Sequence, residues 1–166
     1  SALPALDNGP EVEVVGLADP DDEGRFRSSS DVSVYDTSSG EIVYNPPDHV
    51  HLPGLIDDLC RFTKCEQTPF MHPVIKATIL HFLVSYIHPF VDGNGRTARA
   101  VFYWYLLSKG YWLTEYLSIS RTLVRAPSRY AKAFLYTERD QSDLTYFINY
   151  HMQALDTAFK ELLEYI

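Results

Sequence analysis

Two apolar stripes of helical period constrain this chain more than any other feature. Ile75, Ile79, Leu83 and Ile87 recur every four residues, with Leu80 and Val84 widening the face; Ala98, Val101, Phe102, Tyr105 and Leu106 form a second stripe. Such spacing lines one side of a helix with apolar groups, so the two helices must bury those faces against other elements. Leu52, Leu55, Ile56 and Leu59 predict a helix before them. Phe147, Ile148, Leu155, Phe159 and Leu162 predict one from Asp143 to the end, and a further helix is expected over 128–137. Gly110 follows the second stripe and predicts its C-terminal stop.

Upstream the pattern changes. Val32 to Tyr35 and Glu41 to Tyr44 are short β-prone runs flanking Asp36-Thr37-Ser38-Ser39-Gly40, a hairpin signal. Pro46-Pro47 closes the second run, because proline donates no ladder hydrogen bond. Residues 1–31 are rich in Pro, Gly, Asp and Ser without a sustained period, and Asp19 to Glu23 reads as solvated charge. The expected organisation is an acidic irregular arm over 1–31, then one domain over 32–166. That domain is mainly α, a helical bundle with a small β-hairpin flap at 32–44.

Size and charge narrow the function. At 166 residues with 46% hydrophobic and 14% aromatic content, the chain can bury one ordinary core. The longest apolar run, Ala100 to Leu107, is too short to span a bilayer, so no membrane partner is expected. The net charge of -8 argues against nucleic acid as a partner, since such binding rests on a basic surface. The charge is uneven: residues 1–58 carry -11 and the remainder +3, which leaves room for an anion site in the helical part. Two cysteines, Cys60 and Cys65, supply neither a disulfide framework nor a zinc set. With no secretory signal in these residues, a reduced, cytoplasmic setting is the expectation. The absence of an initial Met and the helical pattern running to Ile166 suggest a module from a longer protein.

Between the two main stripes lies His88-Pro89-Phe90-Val91-Asp92-Gly93-Asn94-Gly95-Arg96-Thr97-Ala98-Arg99. Pro89 and the glycines end one helix, and the next is expected to begin near Arg96. A Gly-Asn-Gly turn at a helix N-terminus exposes consecutive N–H groups where the helix dipole is positive, a cradle for phosphate. Arg96 and Arg99, three apart, share a helix face and can reach the same polyphosphate. Asp92 is placed to hold Mg2+ brought by a nucleotide. His88, at the mouth with a pKa near neutrality, can take a proton from an attacking hydroxyl. Each element alone is common; their order within twelve residues is what carries the chemistry.

The segment resembles, at every fixed position, the signature H-x-F-x-[D/E]-G-N-G-R-x-x-R of the Fic (filamentation induced by cyclic AMP) family. Gly24-Arg25-Phe26-Arg27 is similar to that family's G-x-[Y/F]-R segment, and Tyr44-Asn45-Pro46-Pro47 to the end of its hairpin. The stretches at Ser118 to Ser120 and Arg129-Tyr130 are similar as well, so the likeness covers about residues 24–158. The resemblance implies a Fic-type fold and transfer of AMP from ATP to a Tyr, Thr or Ser hydroxyl of a target protein. By position it implies His88 as the base, Phe90 as a core anchor, and Asp92 as the Mg2+ ligand. Gly93, Asn94 and Gly95 become the α-phosphate cradle, and Arg96 and Arg99 the contacts to the leaving pyrophosphate. The flap, with Val43 and Tyr44, would pair with an extended target segment, and Tyr130 would line the adenine pocket.

Two departures go with the resemblance. Tyr130 is followed by Ala131 where the family often has a second Tyr, and no proper copy of the inhibitory [S/T]-x-x-x-E-[G/N] is found. Asp19 to Gly24 contains Pro20, and Thr157 to Leu162 ends in Leu, so an inhibitory element is expected upstream of Ser1, on a partner, or not at all. Three functions stay open: a Mg2+-dependent adenylyltransferase; a related phosphoryl or phosphocholine transferase; and a non-catalytic nucleotide sensor, which an intact His88 disfavours. His49 and His51 read as surface groups, His81 as a satisfied core group, and Arg121, Arg125 and Arg129 as a solvated helix face.

Overall fold

A computed structural model describes residues 24–35, 42–65, 69–117, 119, 121, 132–137, 140 and 143–165. Residues 1–23 of the arm, the hairpin turn from Asp36 to Gly40, Arg125, Arg129 and Tyr130 lie outside the described residues.

The helices lie where the stripes place them, with Leu80, Val84 and Ile87 buried in the first stripe, Ile75, Ile79 and Leu83 half-buried, and Phe159 exposed on the last helix. Asp48 starts a 3-10 turn at His49–His51 by accepting from the Val50 N–H at 3.0 Å, and α1 (Leu52–Lys64) follows. Pro53 sits in its first turn, where a missing N–H costs nothing. At the other end the buried Lys76 ammonium donates to the Cys65 carbonyl at 2.5 Å and lies 5.0 and 5.6 Å from the Phe62 and Tyr105 rings. A cation on the last carbonyls of α1 complements its dipole.

α2 (Pro73–Ile87) is the central helix, capped by His72, whose Nδ1 accepts from the Val74 N–H at 3.3 Å. It packs against α1, against α3 (Asn94–Ser108) and against the last helix, α4 (Thr145–Tyr165). Leu80, Phe102, Leu106, Ala154 and Leu155 meet in the larger core cluster. Each large side chain there contributes about 1.5–3 kcal/mol by burial. α3 ends as Gly110 predicts. Gly110 takes φ +84, its N–H donates to Leu107 O, and the Tyr111 N–H donates to Leu106 O, both at 3.0 Å. This 6→1 and 5→2 pair closes the helix where a side chain at positive φ would be strained. Residues 132–137 are helical, so the described part of the stretch expected over 128–137 agrees.

His81 on α2 and His151 on α4 are both almost fully buried and meet at 3.1 Å between Nδ1 and Nε2. His151 Nδ1 lies 3.0 Å from Phe147 O, so it holds the proton. Its Nε2 therefore accepts, and His81 Nδ1 donates.

The hairpin is shorter than expected. β1 (Val34–Tyr35) pairs antiparallel with β2 (Ile42–Tyr44), Val34 opposite Tyr44 and Tyr35 opposite Ile42, with an irregularity between the two pairs. The Tyr44 side chain turns inward: it is 4% exposed, packs on Tyr86 and Phe134, and donates its hydroxyl proton to Tyr86 O at 2.9 Å. A phenol buries its ring readily once its O–H finds a partner, and here that partner is α2. Tyr44 thus pins the flap to the central helix, within a second cluster with Phe82, Phe134 and Phe147. Among the described residues, no helix is long and apolar enough to cross a membrane.

Candidate active site

The turn between α2 and α3 gathers the motif. α2 stops at His88, which takes the left-handed conformation (φ 48, ψ 59) while its N–H donates to Val84 O at 3.0 Å. A non-glycine residue there costs about 1–2 kcal/mol, so the surroundings must hold it. Across the turn, the buried Asn94 side chain grips Phe90 twice: Oδ1 accepts from the Phe90 N–H at 2.9 Å and Nδ2 donates to Phe90 O at 2.8 Å. Phe90 is half-buried and rests against the exposed Phe26, ring centroids 5.6 Å apart. It anchors the loop on the N-terminal segment and is absent from the main core clusters.

α3 begins at Asn94, two residues earlier than expected, because Gly93 at φ +85 turns the chain directly into the helix. Gly93 is the N-cap and has no side chain to cap with, and the first helical bond runs from Thr97 N to Gly93 O at 2.9 Å. The preceding amides of the first turn have no intrahelical acceptor, which leaves the positive end of α3 uncapped. The glycines also make room for the cations. A Cβ at Gly93 would lie 3.4 Å from Arg96 Nη2, and one at Gly95 3.3 Å from Arg99 Nη1. Both guanidinium groups therefore lean back over the turn.

Asp92 bonds the Gly93 N–H and Arg96 Nη2, the latter at 2.8 Å. Both side chains are largely exposed (74% and 62%), and such a pair is worth at most about 1 kcal/mol. It opens at little cost. Among the described residues, no group of three or more His, Cys, Asp or Glu could hold a metal ion alone. Asp92 suits Mg2+ as one oxygen ligand beside nucleotide phosphates, the way that ion is commonly held.

His88 differs from expectation. It is buried at 6% exposure, and its pKa is lowered to about 4, mainly by desolvation; Ser85 O and Asp92 pull the other way, and Arg27 pushes it further down. Nδ1 lies 3.4 Å from Ser85 O, while the buried Nε2 has no hydrogen-bond partner among the described residues. At neutral pH the ring is uncharged with an unused lone pair at Nε2, the state a proton acceptor needs.

Burial of His88, His151 and His81 has a consequence for stability. His151 is also lowered to about 4 and His81 well below its usual 6.5, both first by desolvation. The unfolded chain therefore takes up protons first as the pH falls. The stability these groups supply is complete above about pH 6.5 and is lost progressively down through 4. We expect urea midpoints to report a loss of about 1 kcal/mol per histidine between pH 7.5 and 5.5. A midpoint unchanged over that interval would contradict the burial of these rings.

A buried histidine with Nε2 unpartnered among the described residues thus lies in the turn before an uncapped helix N-terminus, with two guanidinium groups beside it, in a helical bundle. The model of the Fic/DOC family matches residues 13–106, and the chain belongs to that family. Its relatives include the protein adenylyltransferase Fic of Drosophila ananassae, 37% identical over 98 residues, and that of Drosophila melanogaster, 38% identical over 98 residues. Each alignment covers 59% of this chain and 18% of the relative, so the chain matches about a fifth of those proteins' length. A Fic family protein from Desulfovibrio desulfuricans G20 superposes with a TM-score of 0.70 at 26% identity, covering 90% of this chain and 43% of that one.

Sequence reasoning placed the motif but missed how it is held. Spacing places Asn94 in the cradle through its backbone, and its side chain also clamps the loop. Nothing in the sequence signals the buried pairing of His151 with His81. Val43 is the middle residue of β2, and Tyr130 lies outside the described residues.

Proposed function

We propose that this domain transfers AMP from ATP to a hydroxyl side chain of a target protein and releases pyrophosphate. The observation that carries this reading is the buried, uncharged His88 with Nε2 unpartnered, immediately before the uncapped N-terminus of α3. In the proposed step the target's O–H gives its proton to His88 Nε2, and the oxygen forms a bond to the α-phosphorus. The bond from that phosphorus to the oxygen bridging to the β-phosphate breaks, and pyrophosphate leaves with the electron pair. The α3 amides would receive charge developing on the α-phosphate, the largest single source of stabilisation in such transfers. Arg96 and Arg99 would bind the leaving group. Asp92 would hold Mg2+ with the phosphate oxygens, and the ion would offset their charge.

The same reading makes ATP the co-substrate and a Tyr, Thr or Ser of a protein the acceptor. It gives the backbone of Val43 in β2 the pairing edge for an extended target and Tyr130 the adenine contact, and sets the domain at 32–166 behind an acidic arm. Free, exposed Cys60 and Cys65 suit a reduced, cytoplasmic setting. Control by an inhibitory element outside this chain belongs to the same proposal. The test is mass spectrometry of proteins modified in a lysate supplied with ATP and Mg2+. AMP on a side-chain hydroxyl is the expected adduct; phosphate or phosphocholine there would replace this reading with a related transfer.

A further inference from the structure

Arg27 is buried at 4% exposure, far from the motif in sequence, and beyond its electrostatic push on His88 the proposed transfer assigns it no role. Its bonds run to main-chain carbonyls of separate segments. Nε donates to His88 O at 2.9 Å, Nη2 lies 3.5 Å from Ile87 O and also donates to Pro47 O, and Nη1 donates to Ser29 O at 3.0 Å. The Arg27 N–H donates to Pro89 O at 2.9 Å. One residue thus binds three consecutive carbonyls, 87, 88 and 89, through the turn where His88 is left-handed. The same guanidinium binds the chain three residues past the end of β2.

The charge is well placed. The last carbonyls of α2 are the negative end of its dipole, and hydrogen bonds from an ionised donor are about twice as strong as neutral ones. A rigid five-donor fork can serve several carbonyls at once, which an ammonium cannot do in the same geometry. Without it the His88 turn would lose the contacts that offset its left-handed backbone, and the flap end would lose its tie to α2.

We propose that Arg27 is a positioning residue that holds the His88 turn and the end of the flap as one unit, so that proton acceptor and target-pairing strand keep a fixed relation. This deepens the transferase reading and rests on it for its catalytic consequence.

The test compares the wild-type chain with Arg27→Met and Arg27→Lys by hydrogen exchange and by kinetics. In Arg27→Met, amides of residues 42–48 and 87–93 are expected to exchange faster together, while those of 147–158 in α4 keep wild-type protection. Transfer kcat should fall by about 10²-fold, as a misplacement near 1 Å can cause. ATP affinity should change by less than about twofold, the split that separates positioning from binding. Arg27→Lys, which keeps the charge and loses the fork, should recover only part of both effects and carries the comparison if the Met variant does not fold. Faster exchange in only one of the two segments, or throughout α4 as well, would overturn the proposal, as would full kcat with both segments loosened. If the wild-type chain transfers nothing, the transferase reading fails, and the exchange pattern still decides the coupling.

Discussion

Replacing His88 with Ala is expected to lower AMP transfer by about 10²–10⁴-fold, the usual range for a lost general base, with ATP affinity little changed. In the proposed step the lone pair at Nε2 takes the hydroxyl proton, whereas the α3 amides and the two arginines would hold the phosphates. Because Nε2 is buried and unpartnered, the side chain carries a desolvation cost that its removal relieves. The variant should therefore fold. His88→Asn adds a control, since Asn enters the left-handed region more readily than Ala. The pH dependence follows from the lowered pKa of about 4. Protonation removes the acceptor, so kcat/KM should stay level as pH falls through 6.5 and decline only on approach to 4. A decline centred at 6.5 would contradict the lowered pKa, and transfer surviving in both variants would remove His88 from the role of base.

The second large effect is expected at Asn94. Asn94→Ala deletes both bonds to Phe90, at 2.9 and 2.8 Å, and strands an N–H and a carbonyl that water replaces only in part, because Phe90 is half-buried. A loss of about 2 kcal/mol in stability follows from the usual cost of such groups. The turn that presents the α3 amides loses its clamp, so both ATP affinity and kcat should fall, with kcat down by about 10²-fold. This pattern differs from that of His88→Ala, where affinity is kept. Asn94→Asp retains the acceptor and loses the donor while placing a negative charge at the phosphate cradle, so its ATP affinity should be lower still. Wild-type stability and kcat in Asn94→Ala would show that the clamp does not position the cradle.

What could be read from the sequence was local. The stripes that place α2 and α3 and the stop at Gly110 each depend on residues within one or two turns, and these elements are found where the spacing puts them. Partners distant in the chain could not be read. His81 was recognised as a satisfied core group, but its partner His151 lies 70 residues away and is brought near only by packing of α4 on α2. Tyr44 is read only as part of the flap, and what buries its ring is an acceptor, the main-chain carbonyl of Tyr86, which no residue type announces. The same holds for Arg27, whose hydrogen-bond partners among the described residues are all main-chain carbonyls. His88 was placed at the mouth with a pKa near neutrality because spacing gives the position of a ring in the chain and says nothing of its burial. Desolvation then sets the pKa.

The central claim, that the bond broken lies between the α- and β-phosphates, is tested most directly by labelling. The chain is incubated with target proteins and either α-labelled or γ-labelled ATP. AMP transfer predicts label on protein from the α position only, lost in His88→Ala, with pyrophosphate released. Label on protein from the γ position alone would contradict the account.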